Sequence, residues 1–158
     1  MSSDGSTLLF GALPAELRLS HEEKRALKIF FDDLCNRVAK PHSVVCLIAD
    51  DRELRRLNFQ FLGRDYPTDV LSFSSGTDTG VLGDVAISIE RAATQAAEYG
   101  HTRVDEIRIL MLHGVLHLMG LDHERDWEEM ARAEQMWRRD FGLPTTLTER
   151  TGAEAAHS

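Results

Sequence analysis

The first third of the chain combines an amphipathic segment with a short apolar run. Ser20 and Glu23 form the S-x-x-E capping box of a helix start, and apolar residues follow at helical spacing. These apolar residues are Leu27, Phe30, Phe31, Leu34 and Val38. Pro41 predicts that this helix ends at about Lys40. The run SVVCLIA, residues 43–49, is too apolar to have a solvated face and predicts a buried strand.

Three further elements follow this strand. Asp50 or Asp51 caps a short predicted helix, and a turn-rich loop then leads into a short strand at Val70–Phe73. Ser74–Gly80 has the composition of a hairpin loop. The apolar run Val81–Ile89 predicts another strand, so the middle of the chain supplies most of a small sheet.

The rest of the chain is predicted to be helical. Capping residues and glycines mark helices at about 90–99, 102–120 and 126–142. This order of elements predicts an α+β fold, in which a small mixed β-sheet packs against several helices. We expect a single domain over residues 1–144 and a disordered C-terminal tail over residues 145–158.

Composition narrows the class of protein. The 158 residues carry a formal net charge of −8, so any contact with nucleic acid must use a local basic patch. The sequence has no run of about 18 apolar residues and no signal-peptide pattern, so we expect a cytoplasmic protein without membrane contact. Cys35 and Cys46 lack C-x-x-C spacing and are expected to be buried thiols.

The segment HGVLHLMGLDH places three histidines in one of the most apolar parts of the chain. His113 and His117 are four residues apart, so a helix would place both rings on one face. His123 is six residues further, about 9 Å along a continuous helix axis, and reaches the same point only if the chain turns. Gly120 is suited to that turn. The pattern H-x3-H-x2-G-x2-H therefore predicts a metal site on a long helix and the turn after it.

The donor type predicts which metal binds. An H-x3-H pair alone is usually accidental, but the added glycine and third histidine favour a metal site. Three imidazoles favour zinc, one ion, although nickel and copper also accept imidazole ligands. Three protein ligands leave a position for water, which is typical of a hydrolytic centre. Asp122 is an alternative ligand, but we prefer it as an acceptor for a ring N–H or as a turn residue.

The same spacing occurs in metzincin proteases, with one difference. Those enzymes have a glutamate after the first histidine, HExxHxxGxxH, where this chain has Gly114. Because that glutamate is the proton acceptor for the metal-bound water, its absence argues against peptide hydrolysis by the usual route.

Three blocks of sequence together resemble the YbeY family of bacterial ribosomal RNA maturation factors. They are HGVLHLMGLDH, LNFQFLGRDYPTDVLSF (Leu57–Phe73) and LGDVAIS (Leu82–Ser88), and the resemblance runs from about Leu47 to Phe141. It implies an α+β fold and a zinc-dependent, single-strand-specific endoribonuclease. It also implies a role in small-subunit ribosomal RNA 3′-end maturation and ribosome quality control, with the small ribosomal subunit and its proteins as partners. The zinc ligands that the resemblance implies are His113, His117 and His123.

One position departs from the family pattern. Family members commonly carry an arginine where this chain has Leu62, which puts a phosphate contact or catalytic cation in doubt. Arg64, two residues further on, is a candidate substitute. Asp84 is a second catalytic candidate, because a carboxylate is unusual in the middle of an apolar strand. Arg52, Arg55, Arg56 and Arg64 cluster in sequence and could form a local basic patch, but their spacing alone is better explained by a solvated helix face.

Three functions stay open from the sequence. The first is the metal-dependent endoribonuclease, with either water or the 2′-OH as nucleophile. The second is a non-catalytic ribosome assembly factor with a structural metal. The net negative charge of the chain is equally compatible with this function. The third is a metzincin-like metallopeptidase whose base comes from elsewhere, for instance from Asp84.

Overall fold

A mixed sheet of four strands forms the centre of the protein in a computed structural model that describes residues 5–75, 80–120 and 127–144. The strands are β1 (Thr7–Phe10), β2 (Ser43–Ala49), β3 (Val70–Ser74) and β4 (Val81–Ser88). Their order in the sheet is β1-β2-β4-β3. The first three in this order run parallel, and β3 pairs antiparallel with β4 at one edge. The predicted small mixed sheet is confirmed.

In the part of the chain that the structure describes, five α-helices pack around the sheet. They are α1 (His21–Leu34), α2 (Asp51–Leu62), α3 (Ile89–Tyr99), α4 (Arg103–Leu118) and α5 (Trp127–Asp140). A π-helical turn at Cys35–Ala39 continues α1, so this helical segment ends close to the predicted residue. The side chains that cap the first four helices are Ser20, Asp50, Ser88 and Thr102. The α+β fold predicted from the sequence is therefore confirmed.

The two faces of the sheet have different coverings. On one face a small apolar cluster contains Leu54 of α2, Leu71 of β3 and Ala86 of β4. On the other face a larger core combines β2, β4, α1 and α4. Strand residues alternate between these two cores, as the pleat of a strand requires.

Helix α4 lies in the middle of the larger core. Its apolar residues are almost fully buried: Ile107, Ile109, Leu110, Met111, Leu112, Val115 and Leu116. A helix that is apolar on nearly all sides is stable only when other elements surround it. A polar side chain on a buried side of α4 therefore needs a specific partner inside the core.

Cys35 and Cys46 are buried free thiols, as predicted. Burial raises the pKa of the Cys35 thiol to about 11, and it raises that of Cys46 further. Within the described parts of the chain, no helix has the length and hydropathy needed to span a bilayer. The predicted tail, residues 145–158, and most of the predicted hairpin loop lie outside the described residues.

Candidate metal centre

The rings of His113 and His117 meet on one side of α4. Their centroids are 4.4 Å apart, and the two Nε2 atoms are separated by 2.9 Å. His113 is 3% exposed, whereas His117, one turn closer to the helix end, is half-buried. Two imidazole nitrogens so placed can bind one ion that lies where the core meets the surface.

Glu134 of α5 holds the far side of the His113 ring. Nδ1 of His113 lies 2.8 Å from Oε1 of Glu134, and the second carboxylate oxygen accepts a 2.6 Å hydrogen bond from Arg138. Burial by itself raises the pKa of the Glu134 carboxyl, but the charges and hydrogen bonds of His113 and Arg138 outweigh it and lower the pKa to about 2. The carboxylate is ionised at neutral pH and only accepts hydrogen bonds. When His113 is neutral, this carboxylate favours a proton on Nδ1 and a free lone pair on Nε2.

Gly114 packs directly against the sheet. A Cβ atom there would lie 2.7 Å and 3.1 Å from the two γ-methyl groups of Val85, and 3.3 Å from Oγ of Ser72. There is no space at this position for a glutamate side chain. The absence of the metzincin base therefore has a steric reason, since α4 and β4 approach too closely to admit it.

The third predicted ligand cannot be placed. Gly120 follows α4 with φ of +92°, the left-handed conformation expected for the turn, but His123 and Asp122 lie outside the described residues. Among residues 5–75, 80–120 and 127–144, no cluster of three or more His, Cys, Asp or Glu side chains that could hold a metal is found. The donor set that is described, two convergent imidazoles with a carboxylate behind one of them, is suited to zinc.

Asp84 points away from the histidines. Its neighbours in β4, Gly83 and Val85, both face α4, because a Cβ on Gly83 would meet Leu118 and because Val85 contacts Gly114. Asp84 therefore lies on the opposite face of the sheet, where it is exposed. The structure does not bring Asp84 together with His113 or His117, the two predicted ligands that lie among the described residues. Its role as a general base stays a prediction that the geometry does not support.

The arginines of α2 are mostly engaged on the surface. Arg55 pairs with Asp65 at 2.7 Å and Arg56 with Glu53 at 2.7 Å, which agrees with a solvated helix face. Arg64 is half-buried and follows Gly63, the left-handed residue that ends α2. No ion pair of the Arg64 side chain is found among the described residues. The Arg64 guanidinium is therefore more available to a ligand than the guanidinium groups of Arg55 and Arg56.

Sequence reasoning missed Glu134 and Arg138. Both belong to the stripe of α5 that includes Met130 and Trp137, at spacings of three, four and seven residues. An acid and a base four residues apart within an apolar stripe predict a buried pair. That signal was available in the sequence, but the contact with His113 spans 21 positions and depends on how the helices pack.

Comparisons with known proteins agree with this architecture. A family model described as Endoribonuclease YbeY matches residues 16–142. A protein of Solibacter usitatus named Endoribonuclease YbeY is 51% identical over 149 residues, which cover 94% of this chain and 97% of the relative. One of the same name from Koribacter versatilis is 42% identical over 134 residues, 85% and 88% of the two chains. The solution structure of TM1509 from Thermotoga maritima has the same fold, with a TM-score of 0.55, 22% identity and coverage of 86% and 91%.

Proposed function

The chain belongs to the Endoribonuclease YbeY family and is an endoribonuclease, and we propose that it cuts single-stranded RNA with one zinc ion. We assign the ligands to His113, His117 and His123. The observation that carries the metal proposal is the 2.9 Å approach of the two Nε2 atoms, with Glu134 behind the first ring.

The residues around the site have separate chemical roles. A zinc ion, when bound, supplies a Lewis acid for a phosphodiester oxygen and a water of lowered pKa. Glu134 keeps the proton of His113 on Nδ1, away from the metal side of the ring. Gly114 contributes no proton acceptor, because its position is closed by Val85. A base, where the reaction uses one, must come from another position or from the RNA itself.

The substrate in this proposal is ribosomal RNA near the 3′ end of the small subunit, cut in the cytoplasm during maturation and quality control. The small ribosomal subunit and its proteins are the proposed partners. The net charge of −8 supports a binding mode in which RNA contacts only a limited surface. The family to which the chain belongs supports RNA as the substrate.

The test is cleavage of a labelled single-stranded RNA by purified protein, with and without a chelator. We expect His113→Ala and His117→Ala to lower the rate at least about 100-fold, because each removes a metal ligand. His21→Ala is the matched control, since His21 is an exposed residue at the start of α1. Its cleavage rate should equal that of the wild type.

Each other outcome of this test has a defined meaning. Cleavage that persists in His117→Ala would reveal a contaminating nuclease. If no preparation cleaves the RNA, the wild type included, but the protein still binds ribosomes, the assembly factor with a structural metal is favoured. A 2′,3′-cyclic phosphate on the product would identify the 2′-OH as the nucleophile.

A further inference from the structure

A buried acid–base pair on α5 lies behind the metal side of α4. Glu134 and Arg138 are four residues apart, and their side chains are only 10% and 4% exposed. We infer that this pair positions His113, by fixing its ring in the one tautomer and orientation that can bind the metal. The inference rests on the proposed function, since it concerns a ligand of the proposed zinc site.

Both nitrogens of the His113 ring have a polar neighbour. Oε1 of Glu134 lies 2.8 Å from Nδ1, and Nε2 of His117 lies 2.9 Å from Nε2 on the other side of the ring. A neutral imidazole has one N–H and one lone pair, and the partner of one nitrogen decides which nitrogen carries the proton. Because a carboxylate accepts but does not donate, it selects the tautomer with the lone pair on the metal side.

Arg138 holds the second oxygen of the Glu134 carboxylate. It donates a 2.6 Å hydrogen bond to Oε2 of Glu134, so each carboxylate oxygen has its own partner. A carboxylate held at both oxygens cannot rotate away from His113. The hydrogen bond from Arg138 and the contact with His113 therefore fix the Glu134 side chain from opposite sides.

Fold stability alone does not account for this pair. Desolvating an acid and a base costs free energy that their attraction only partly returns, and apolar residues of similar size often stabilise a core as well or better. Met130, one turn before Glu134 on α5, is 2% exposed and shows that the same helix packs well with an apolar side chain. A positioning role explains why the charged pair occupies this part of the helix.

The substitution Glu134→Gln separates positioning from packing. An amide has one acceptor and one donor end, and Arg138 will attract the oxygen. The NH2 group then faces Nδ1 of His113 and favours the wrong tautomer, with the proton on Nε2. In the double variant with Arg138→Met the oxygen is released from Arg138, so it can again accept from His113.

The experiment measures zinc affinity by competition with a chromophoric chelator, using the full chain at pH 7.5. We expect Glu134→Gln to bind zinc roughly 10- to 100-fold more weakly than the wild type. Adding Arg138→Met should restore a part of this loss, because the amide oxygen can again accept from Nδ1 of His113. The matched control is Glu129→Gln, which removes an exposed charge from the same helix and should leave the affinity unchanged.

A second measurement does not involve the metal. Long-range ¹⁵N–¹H spectra of the metal-free protein at pH 8 should show the Nδ1–H tautomer for His113 in the wild type. The Nε2–H form should gain population in Glu134→Gln. Thermal unfolding of the metal-free variants reports any loss of folding separately.

The outcomes distinguish this inference from the proposed function. If wild type binds zinc, His117→Ala does not, and Glu134→Gln binds as wild type does, the positioning role is wrong and the metal site stands. An Nε2–H tautomer for His113 in the wild type would also overturn the inference. If wild type binds no zinc at all, both the metal site and the positioning role fail.

Discussion

Oγ of Ser72 donates a hydrogen bond to the carbonyl oxygen of Gly114, 3.0 Å away. The bond joins edge strand β3 to the helix that carries both histidines. It forms at the position where the missing side chain of Gly114 makes room for Val85. The orientation of the two imidazoles therefore depends on the packing of α4 against β3 and β4.

We predict that Gly114→Ala destabilises the fold by up to about 2 kcal/mol, which is the cost of the overlap less the gain in helix propensity. An alanine gains about 1 kcal/mol of helix propensity over glycine, but its Cβ overlaps a stiff, buried valine and costs about 1–3 kcal/mol. Denaturant unfolding of the metal-free protein measures the difference. In a Val85→Ala background the overlap disappears, and the same substitution should then be neutral or stabilising. An equal loss in both backgrounds would rule out the contact with Val85 as its cause.

Zinc should be released as the pH falls below about 6. Imidazole must be neutral to bind a metal, so protons compete with zinc at each histidine ligand. Equilibrium dialysis between pH 8 and pH 4.5, followed by metal analysis, measures the retained zinc. Full retention at pH 4.5 would argue strongly against a site built only from imidazoles.

Glu23 should make the start of α1 sensitive to acid. Oε1 of Glu23 accepts hydrogen bonds from the Ser20 backbone and from Arg103. Burial raises the pKa of this carboxyl, but the hydrogen bonds and the charge of Arg103 outweigh burial and lower it below 4.5. Because the pKa in the folded state is the lower one, its stabilisation is complete above the unfolded value and is lost as the pH falls through the folded value.

The test for Glu23 compares two variants across pH. Glu23→Gln should lower the free energy of unfolding by about 1 kcal/mol at pH 7, and the difference from wild type should shrink below about pH 4. Glu22→Gln changes an exposed neighbour in the same turn and serves as the control. A difference that stays constant down to pH 3 would show that the charge of Glu23 contributes nothing.

Arg64 should contribute to RNA binding in place of the arginine that Leu62 replaces. If Arg64 contacts a phosphate, Arg64→Ala weakens RNA binding and lowers the slope of log affinity against log salt by about 1. Arg55→Ala is the matched control, because Arg55 is already paired with Asp65. Leu62→Arg in the Arg64→Ala background should recover affinity. Unchanged cleavage and affinity in Arg64→Ala would show that Arg64 does not act as the substitute.

Local signals in the sequence predicted most of the fold, because caps and apolar runs act on neighbouring residues. Strand β2 begins and ends at the predicted residues, and Ser20 and Thr102 cap the helices for which they were proposed. The contact of Glu134 with His113 was not predictable in this way, since it depends on the packing of two helices. The position of Asp84 was not predictable for the same reason. Alternation along the strand predicts that Asp84 faces opposite to Val85, but it does not predict which face of the sheet packs against α4.

The direction of α4 gives the site an electrostatic bias of its own. His113 and His117 lie in its last two turns, where the aligned peptide dipoles leave a partial negative charge of roughly half an electron. This end of the helix attracts a cation and repels a phosphate. If the proposed divalent ion binds at the histidines, it would offset this partial charge, and we expect the RNA backbone to bind there more readily after the ion than before it.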